Sequence, residues 1–272
     1  MNLNDYWRQQ ESGKPLFSDV LWSKPERRDA AGKLAIVGGN VHGFAAVAAA
    51  YQTALQTGVG EVKVILPDVL KNNGLPANCT FAPTNPSGGL AAQALAELNA
   101  AADWANLVLF IGDNGQNSET AGLFEGFLSK QTSISASAGD KPVVLTRDAV
   151  DLIKNAAENV LNRPNTHLIV SLSQLQKLCK NVYYPRVITF GQGVKQIAET
   201  LHKFTITYPC TITLWHANNL FVAHAGQVVT QQFNQPTRVW SGEVATREAV
   251  WQIWNTDPVQ AVATSWIELT AN

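Results

Sequence analysis

The 272-residue sequence has few charged residues and few cysteines, and both shortages exclude classes of protein. Charged residues make up only 15%, and 20 Lys and Arg offset 21 Asp and Glu, so the chain lacks the basic surface on which nucleic-acid binding depends. Three cysteines, Cys79, Cys179 and Cys210, lie far apart and form no CxxC pair. We therefore expect no nucleic-acid partner, no disulfide framework and no metal site.

Long apolar runs are also missing. No stretch approaches the ~20 apolar residues of a membrane span, and residues 1–15 are polar, without the apolar segment of a signal peptide. We therefore expect a cytoplasmic protein that has no membrane partner. Hydrophobic residues nevertheless make up 46% and the net charge is only −1, which excludes a disordered chain and predicts a large core.

Short apolar runs alternate with Ala-rich or amphipathic segments along most of the chain. The predicted strands are 33–39, 61–66, 106–111, 142–145 and 167–170, and the predicted helices are 44–57, 90–102, 118–130, 149–159, 171–179 and 193–204. This alternation predicts an α/β fold with a mostly parallel central sheet and helices on both faces. The stretch 133–142 is the loosest in composition and is interpreted as a surface loop.

The hydrophobic period changes after residue 210. Three short β runs, at 211–214, 220–223 and 227–230, are separated by turn residues and predict a small antiparallel meander at an edge of the sheet. Two apolar helices are expected after it, at 243–254 and 258–269.

No linker, repeat or low-complexity segment divides the chain. We therefore expect one domain over residues 27–272, preceded by an N-terminal extension or arm at residues 1–26.

The loops that follow the predicted strands deserve most attention, because parallel sheets bind ligands outside the carboxyl ends of their strands. Gly38–Gly43 is neither GxGxxG nor a P-loop, so the glycines alone favour a tight turn over a ligand site. Asp113 is suited to orient a hydroxyl or to cap a turn, and Asp148 to contact substrate or to begin a helix. Glu243 is placed either to act as a base or simply to stabilise the helix through its favourable interaction with the helix dipole.

Eight tryptophans are many for this length. Trp251 and Trp266 are expected to fill the core, whereas Trp240 and Trp254 fit either a core, a binding surface or an interface. If the C-terminal helices form a subunit contact, Trp254 and Trp266 are the candidate residues.

The ordered set of loops resembles a known family, the YjeF C-terminal domain proteins, which are ribokinase-like ADP- or ATP-dependent NAD(P)H-hydrate dehydratases. The resemblance covers residues 27–269. It is most specific at Arg27-Arg28 and the following KLAIVGGNVHGFAAVAAAYQTALQTGVGEVKVILP. In the family, this stretch is a basic segment, a strand, a glycine-rich turn and an Ala-rich helix that ends in Gly-x-Gly.

The other family motifs match this sequence by order and spacing while their residue types differ. The Gly-Pro-Gly loop falls on Gly112–Gly115, the double-Asp motif on Leu145–Ala149, the Thr-Pro-His-x-x-Glu-Leu motif on Val170–Leu175, the Lys-Gly turn on Trp215–Asn219, and the closing Gly-Thr-Gly-Asp on Trp240–Glu243. In the last motif a tryptophan replaces the first glycine and a glutamate replaces the catalytic aspartate.

The resemblance implies a ribokinase-like fold, ADP or ATP with Mg²⁺ as cofactor, a small-molecule ligand and a homo-oligomer. It implies catalytic roles for Glu243 and Asp148. It further implies substrate contacts from Asn40, Ala46, Asp113, Asn114 and Gln174, and nucleotide contacts from His216, Ala217, Asn218, Ser241 and Gly242.

Three functions follow from this resemblance. An active dehydratase would phosphorylate the hydroxyl of hydrated NADH or NADPH, and elimination of phosphate would restore the nicotinamide. A binding or structural homologue would keep the scaffold and lack catalysis, because an indole at position 240 fills space that a glycine leaves open and Glu243 displaces the carboxylate by one methylene. The third is a kinase for another small hydroxylated metabolite. We expect the family activity to be altered or lost.

Overall fold

The computed structural model describes residues 5–71, 78–129 and 141–270, and within these ranges ten strands form a single sheet. The strands are β1 (Trp7–Gln10), β2 (Lys33–Gly38), β3 (Glu61–Pro67), β4 (Cys79–Ala82), β5 (Leu107–Gly112), β6 (Val143–Thr146), β7 (Thr166–Val170), β8 (Thr211–His216), β9 (Asn219–His224) and β10 (Gln227–Gln232). Their order across the sheet is β1-β10-β9-β8-β7-β6-β5-β2-β3-β4.

The helices fill the connections between these strands and follow the last of them. They are α1 (Ala45–Thr57), α2 (Leu95–Trp104), α3 (Ser118–Ser129), α4 (Asp148–Leu152), α5 (Ala157–Leu161), α6 (Leu172–Asn181), α7 (Val194–Thr207), α8 (Pro236–Trp240), α9 (Glu243–Trp254), α10 (Pro258–Ser265) and α11 (Ile267–Thr270). Short 3₁₀ turns lie at Ser18–Ser23, Arg28–Ala30, Asp68–Leu70, Ala92–Ala94 and Lys154–Ala156. None of the helices within the described ranges has the length and apolarity needed to cross a membrane.

The sheet is mostly parallel, which confirms the predicted α/β architecture. Each neighbouring pair from β4 across to β8 runs parallel, and β9 runs antiparallel to both β8 and β10. Helices α2–α7 pack on one face, while α1, α9 and α10 pack on the other. The carboxyl ends of six strands therefore lie at the same end of the sheet, and we name this end the carboxyl edge. The six strands are β2, β5, β6, β7, β8 and β10.

The N-terminal arm adds a strand that the sequence did not predict. β1 pairs parallel to β10, so the meander lies one strand in from the edge of the sheet. The segment WRQQ has too few apolar residues to stand out as a strand. Its last residue, Gln10, is buried and donates a hydrogen bond to the Gln231 side chain at 2.6 Å.

Three helices expected from the sequence are divided. The segment 149–159 becomes α4, a 3₁₀ turn and α5, because the backbone leaves helical geometry at Ile153, whose side chain is fully buried. The segment 258–269 divides at Trp266, and the predicted helix at 90–102 becomes a 3₁₀ turn followed by α2. The loop predicted at 133–142 lies largely outside the described residues.

The C-terminal tryptophans belong mainly to the interior. Trp251 and Trp266 are fully buried, so the suggestion that Trp266 forms a subunit contact is wrong. Trp254 is half-buried, packs edge-on against Trp251, and donates its indole N–H to the carbonyl of Ala31 at 3.0 Å.

Candidate functional site

Three loops converge at the carboxyl end of β5. A β-carbon added at Gly38 would collide with the carbonyl oxygen of Gly112, and one added at Gly112 would lie 2.8 Å from Asp148 Oδ1. A β-carbon at Gly242 would lie 2.6 Å from Ile111 Cδ1. The glycine-rich turn, the Asp148 loop and the start of α9 therefore meet at one strand end, as the family resemblance implies.

Asp113 joins two of these loops and uses both of its carboxylate oxygens to do so. Oδ2 accepts the backbone N–H of Ala46 at 2.8 Å, in the first turn of α1, and Oδ1 forms an ion pair with Arg147 at 2.7 Å. The Asn40 side chain donates to the backbone carbonyl of Asp113 at 2.6 Å. The N-terminal amide of α1 that could hold an anion is therefore capped by the chain's own carboxylate.

Asp148 has a similar role in the neighbouring loop. Its Oδ2 accepts the backbone N–H groups of Asn114 at 2.9 Å and of Gly115 at 3.1 Å. Burial raises the pKa of Asp148, and these two N–H donors oppose that effect. The side chain of Asn114 is buried, and its Oδ1 has no hydrogen-bond partner among the described residues.

Gln174 lies one strand further along and serves to connect two helices. It completes a capping box with Ser171 at the start of α6. Its amide nitrogen donates to the carbonyl of Arg147 at 2.8 Å and to Asp151 Oδ2 at 2.9 Å. The structure thus links Gln174 to the Asp148 loop through Arg147.

The turn that leads into α9 has its amides already committed. Ser241 N–H donates to the carbonyl of Thr237 at 2.8 Å, and Gly242 N–H donates to the carbonyl of Val239 at 3.1 Å. Glu243 N–H reaches Ser241 Oγ at 3.4 Å. Helix α8, which the sequence analysis did not predict, therefore uses N–H groups of Ser241 and Gly242, the residues to which the resemblance assigns nucleotide contacts.

Glu243 is held between two arginines. Arg238 Nε donates to Oε2 at 2.8 Å, a second Arg238 nitrogen contacts Oε1, and Arg247 Nε lies 3.3 Å from Oε1. The hydrogen bonds from Arg238 are the main reason that the pKa of Glu243 lies below its usual value. Arg247 is itself paired with Glu268 at 3.0 Å. A carboxylate in this environment is a weak base.

Trp240 stands at the surface just before this turn. Its side chain is 59% exposed and packs edge-on against Trp215, with ring centroids 6.2 Å apart. The indole N–H of Trp215 donates to the carbonyl of Phe233 at 3.1 Å. Because Trp240 projects toward solvent, the commitment of the amides is a stronger obstacle to phosphate than the indole.

His216, Ala217 and Asn218 form the tight turn between β8 and β9. Ala217 and Asn218 have φ values of 48° and 56°, which is the geometry of a two-residue hairpin turn. His216 Nε2 lies 3.0 Å from the carbonyl oxygen of Gln192, and the Asn218 carbonyl accepts the N–H of Phe233 at 2.8 Å. These three residues lie at the carboxyl edge, beyond β7 from the Asp148 loop.

The structure therefore gathers most of the residues named from the sequence, and adds three arginines that were not assigned a role. Asn40, Ala46, Asp113, Asn114 and Asp148 form one hydrogen-bonded cluster. Arg247 follows Glu243 by four residues, and this separation places two side chains on one helix face. Arg238 precedes Glu243 by five residues, so its only signal was that it is close in sequence. Arg147 was visible at the end of β6.

The residues at this edge do not fit a nucleotide phosphate or its Mg²⁺. Phosphate sites present free N–H groups or unpaired cations, and here the amides of Ser241 and Gly242 donate within the chain while Arg238 is paired. A hydrated Mg²⁺ requires accessible carboxylates, and those of Asp113 and Asp148 are occupied by N–H groups and by Arg147.

No protein-family model and no curated protein matches the sequence. Several solved structures nevertheless match nearly the whole chain. A ribokinase-like superfamily protein from Enterococcus faecalis V583 superposes with a TM-score of 0.70 at 15% identity, over 98% of this chain and 86% of that one. The chain has the ribokinase-like fold.

Two further ribokinase-like neighbours are enzymes. The ADP/ATP-dependent NAD(P)H-hydrate dehydratase of Bacillus subtilis, co-crystallised with ATP/Mg²⁺ and soaked with CoA, gives a TM-score of 0.60 at 15% identity, over 92% of this chain and 85% of that one. Phosphomethylpyrimidine kinase of Clostridium difficile 630 gives 0.57 at 12% identity, over 88% and 99%. The fold expected from the sequence resemblance is confirmed, and dehydratases are among its neighbours.

Proposed function

We propose that this protein is a non-catalytic ribokinase-like homologue that binds a small hydroxylated molecule at the carboxyl edge and transfers no phosphoryl group. The observation that carries the proposal is the turn Ser241–Glu243, whose amides donate within the chain and whose carboxylate is held by Arg238 and Arg247. Phosphoryl transfer consists largely of positioning and charge stabilisation, so it needs donors and a base that are free to meet the substrate.

The substrate side of the edge supports binding rather than chemistry. Asp113 and Asp148 cross-link the loops after β2, β5 and β6, and such a cross-linked arrangement gives a rigid frame for a ligand. The buried Asn114 Oδ1 is an acceptor without a partner among the described residues. A ligand hydroxyl that donates to this oxygen would offset the cost of leaving it unpaired.

The direct test is an assay with hydrated NADH and either ADP or ATP, in the presence of Mg²⁺. We expect no nucleotide-dependent return of NADH absorbance at an enzyme concentration where the B. subtilis dehydratase, as positive control, completes the reaction. We also expect no thermal stabilisation by these nucleotides, whereas a site at ~100-fold saturation would add about 2.7 kcal/mol. Nucleotide-dependent recovery of NADH would refute the proposal.

The second candidate is the dehydratase activity itself, and one observation favours it. Glu243 begins α9 directly after Gly242, and the sequence resemblance matches it with the family's catalytic aspartate. This activity would require α8 to unwind, which would free the Ser241 and Gly242 amides, and Arg238 to release Glu243. The two candidates differ for Arg238→Ala, which raises a measurable wild-type rate in the second and leaves both proteins inactive in the first.

A further inference from the structure

A second polar cluster lies between the sheet and helices α9 and α10, away from the carboxyl edge. Its members are His167 on β7, Thr213 on β8, Glu248 and Gln252 on α9, and Trp266 at the end of α10. His167 is 2% exposed and Glu248 is fully buried. Ionisable side chains this deep in a core are rare unless they are paired.

The hydrogen bonds of the cluster define the state of His167. The Gln252 amide nitrogen donates to Nδ1 at 2.8 Å, so the ring proton lies on Nε2 and is donated to Thr213 Oγ1 at 2.9 Å. Both ring nitrogens are therefore satisfied by neutral groups, with the imidazole in its neutral form. Burial lowers the pKa of His167 to about 3.

The surroundings of Glu248 do little to stabilise a negative charge on its carboxyl group. Its Oε1 accepts the indole N–H of Trp266 at 2.7 Å, while Oε2 lies 3.5 Å from His167 Nε2 and has no hydrogen-bond partner among the described residues. A buried carboxylate whose neighbours, the Trp266 indole, the Thr213 hydroxyl and the His167 imidazole, are all neutral is costly to ionise. Burial accordingly raises the pKa of Glu248 to about 8, against smaller opposing effects from Trp266 and Thr213.

The charged groups packed around this cluster do not supply a counter-ion for Glu248. His224 on β9 contacts Thr211 at 3.1 Å and disfavours a charge on His167. Asp257, at the start of α10, acts on His224 and raises its pKa in opposition to burial. Arg247, the neighbour of Glu248 on α9, is paired with carboxylates at the other side of the helix, those of Glu243 and Glu268.

We propose that the His167–Glu248 contact is a proton-dependent latch that fastens helices α9 and α10 to the sheet. The latch is closed when both side chains are uncharged. A charge on either one is accommodated only if the helices loosen and admit water. A cavity of about 240 Å³ lies beside the cluster, and Gln252, which lines this cavity, is hydrogen-bonded to His167.

The latch couples pH to the candidate site because α9 begins there. Gly242 and Glu243 form the first turn of α9, and Glu248 lies on the same helix. Because Glu243 is in the first turn of α9, loosening of this helix therefore also weakens the ion pair between Arg238 and Glu243.

The two groups give opposite limbs in the pH dependence of stability. The folded pKa of Glu248 is raised from 4.5 to about 8, so its stabilising contribution is lost as pH rises through this range. The folded pKa of His167 is lowered from 6.5 to about 3, so its contribution is lost as pH falls through that range. Between the two unfolded pKa values, 4.5 for Glu248 and 6.5 for His167, the two pH effects cancel and the free energy of unfolding is constant. The free energy of unfolding falls above and below this range.

The first experiment measures the unfolding equilibrium constant by denaturant titration across this pH range. In the wild-type protein we expect it to rise about tenfold per pH unit between the unfolded pKa of His167 and the folded pKa of Glu248. Glu248→Gln removes this alkaline limb, and His167→Gln reduces the acid limb. Glu199→Gln, in an exposed pair with Lys203, is the matched control and keeps the alkaline limb. An alkaline limb that persists in Glu248→Gln overturns the proposal.

A second measurement keeps the test decisive if Glu248→Gln does not fold. In wild-type protein with labelled indole nitrogens, we expect one of the eight tryptophan N–H resonances to titrate with a midpoint near 8, because Trp266 donates to Glu248. Amide exchange in α9, corrected for the intrinsic rate and compared with α1, rises over the same range. If no indole resonance titrates there, or if α9 and α1 respond equally, the latch is refuted.

Discussion

The two halves of the carboxyl edge are closed in opposite ways. In the half built on β2, β5 and β6, carboxylates of Asp113 and Asp148 occupy backbone N–H groups. In the half built on α8 and α9, the N–H groups are consumed by the helix before them, and arginines occupy the carboxylate of Glu243. The first half is tied together mainly by hydrogen bonds between carboxylates and backbone N–H groups, whereas the second is tied by a network of ion pairs, and both sets of contacts are partly buried.

This difference teaches that the two halves should respond differently to mutation. Loss of Asp148 leaves two backbone N–H donors without any acceptor in the chain, which is expensive, whereas loss of Arg238 leaves Glu243 with Arg247 as a second partner. The half built on β2, β5 and β6 should therefore dominate stability. The half built on α8 and α9, to which the resemblance assigns nucleotide contacts and which we name the nucleotide half, should dominate any gain of nucleotide binding.

The largest effect is expected for Asp148→Ala. The substitution leaves the backbone N–H groups of Asn114 and Gly115 without their acceptor, and each buried orphan costs about 1–3 kcal/mol. We expect a loss of about 3 kcal/mol in the free energy of unfolding. Denaturant titration measures it, with Asp148→Asn as the control that keeps one acceptor oxygen. A loss equal to that of the control would contradict the account of this half.

Gly242→Ala is expected to have the next largest effect, because it strains the joint between the two halves. Gly242 has φ of 87°, and its new β-carbon would lie 2.6 Å from Ile111 Cδ1. Left-handed strain and overpacking together predict a loss of about 2 kcal/mol. Gly122→Ala, in the interior of α3 with open space around its α-carbon, is the control and is expected to be neutral or stabilising. Equal melting temperatures for both variants would count against the packing at Gly242.

Arg238→Ala tests the ion-pair network, and its expected effect on stability is smaller than that of Gly242→Ala. The two partners are only 16% and 23% exposed, but Arg247 still pairs with Glu243 when Arg238 is removed, so we expect a loss of about 1.5 kcal/mol. Removal of Arg238 also lets the pKa of Glu243 rise toward its usual value. Since a lowered folded pKa contributes stability that is lost as pH falls, the variant should show a flatter acid limb than the wild-type protein. Parallel acid limbs in the two proteins would show that Arg238 does not act on Glu243.

Trp240→Gly is the smallest change and the sharpest test of what closes the nucleotide half. The side chain projects toward solvent, so stability should change by less than about 0.5 kcal/mol beyond the propensity cost of glycine in the short α8. If committed amides, and not the indole, exclude phosphate, this variant gains no nucleotide binding. Thermal stabilisation of Trp240→Gly by ATP–Mg²⁺, without the same effect in wild type, would show that the indole is the obstacle.

Much of the fold could be predicted because apolar runs mark the central strands. β2, β5 and β7 are buried on both faces and read as continuous apolar segments, as parallel strands do. β1 and β4 were missed, since WRQQ and CTFA have neither long runs nor clear alternation. These two strands are defined by their neighbours in the sheet.

The position of the site could be predicted from the sequence. Whether its amides and carboxylates are free or already paired could be predicted less well. The order of the loops placed Asp113, Asp148 and Gly242 at one strand end, where the structure brings them together. The occupation of the amides depended on α8, whose only clear signal was Pro236 at a helix start. A five-residue helix is too short for hydrophobic periodicity, so its consequence for Ser241 and Gly242 required the structure.

The central claim is that the carboxyl edge of this ribokinase-like fold does not hold a nucleotide phosphate. The most direct measurement is a calorimetric titration of the wild-type protein with ATP–Mg²⁺, run beside the B. subtilis dehydratase. The account predicts no binding stronger than a dissociation constant of about 1 mM. A saturable heat of binding with micromolar affinity would contradict it, because the amides of Ser241 and Gly242 would then have to be free.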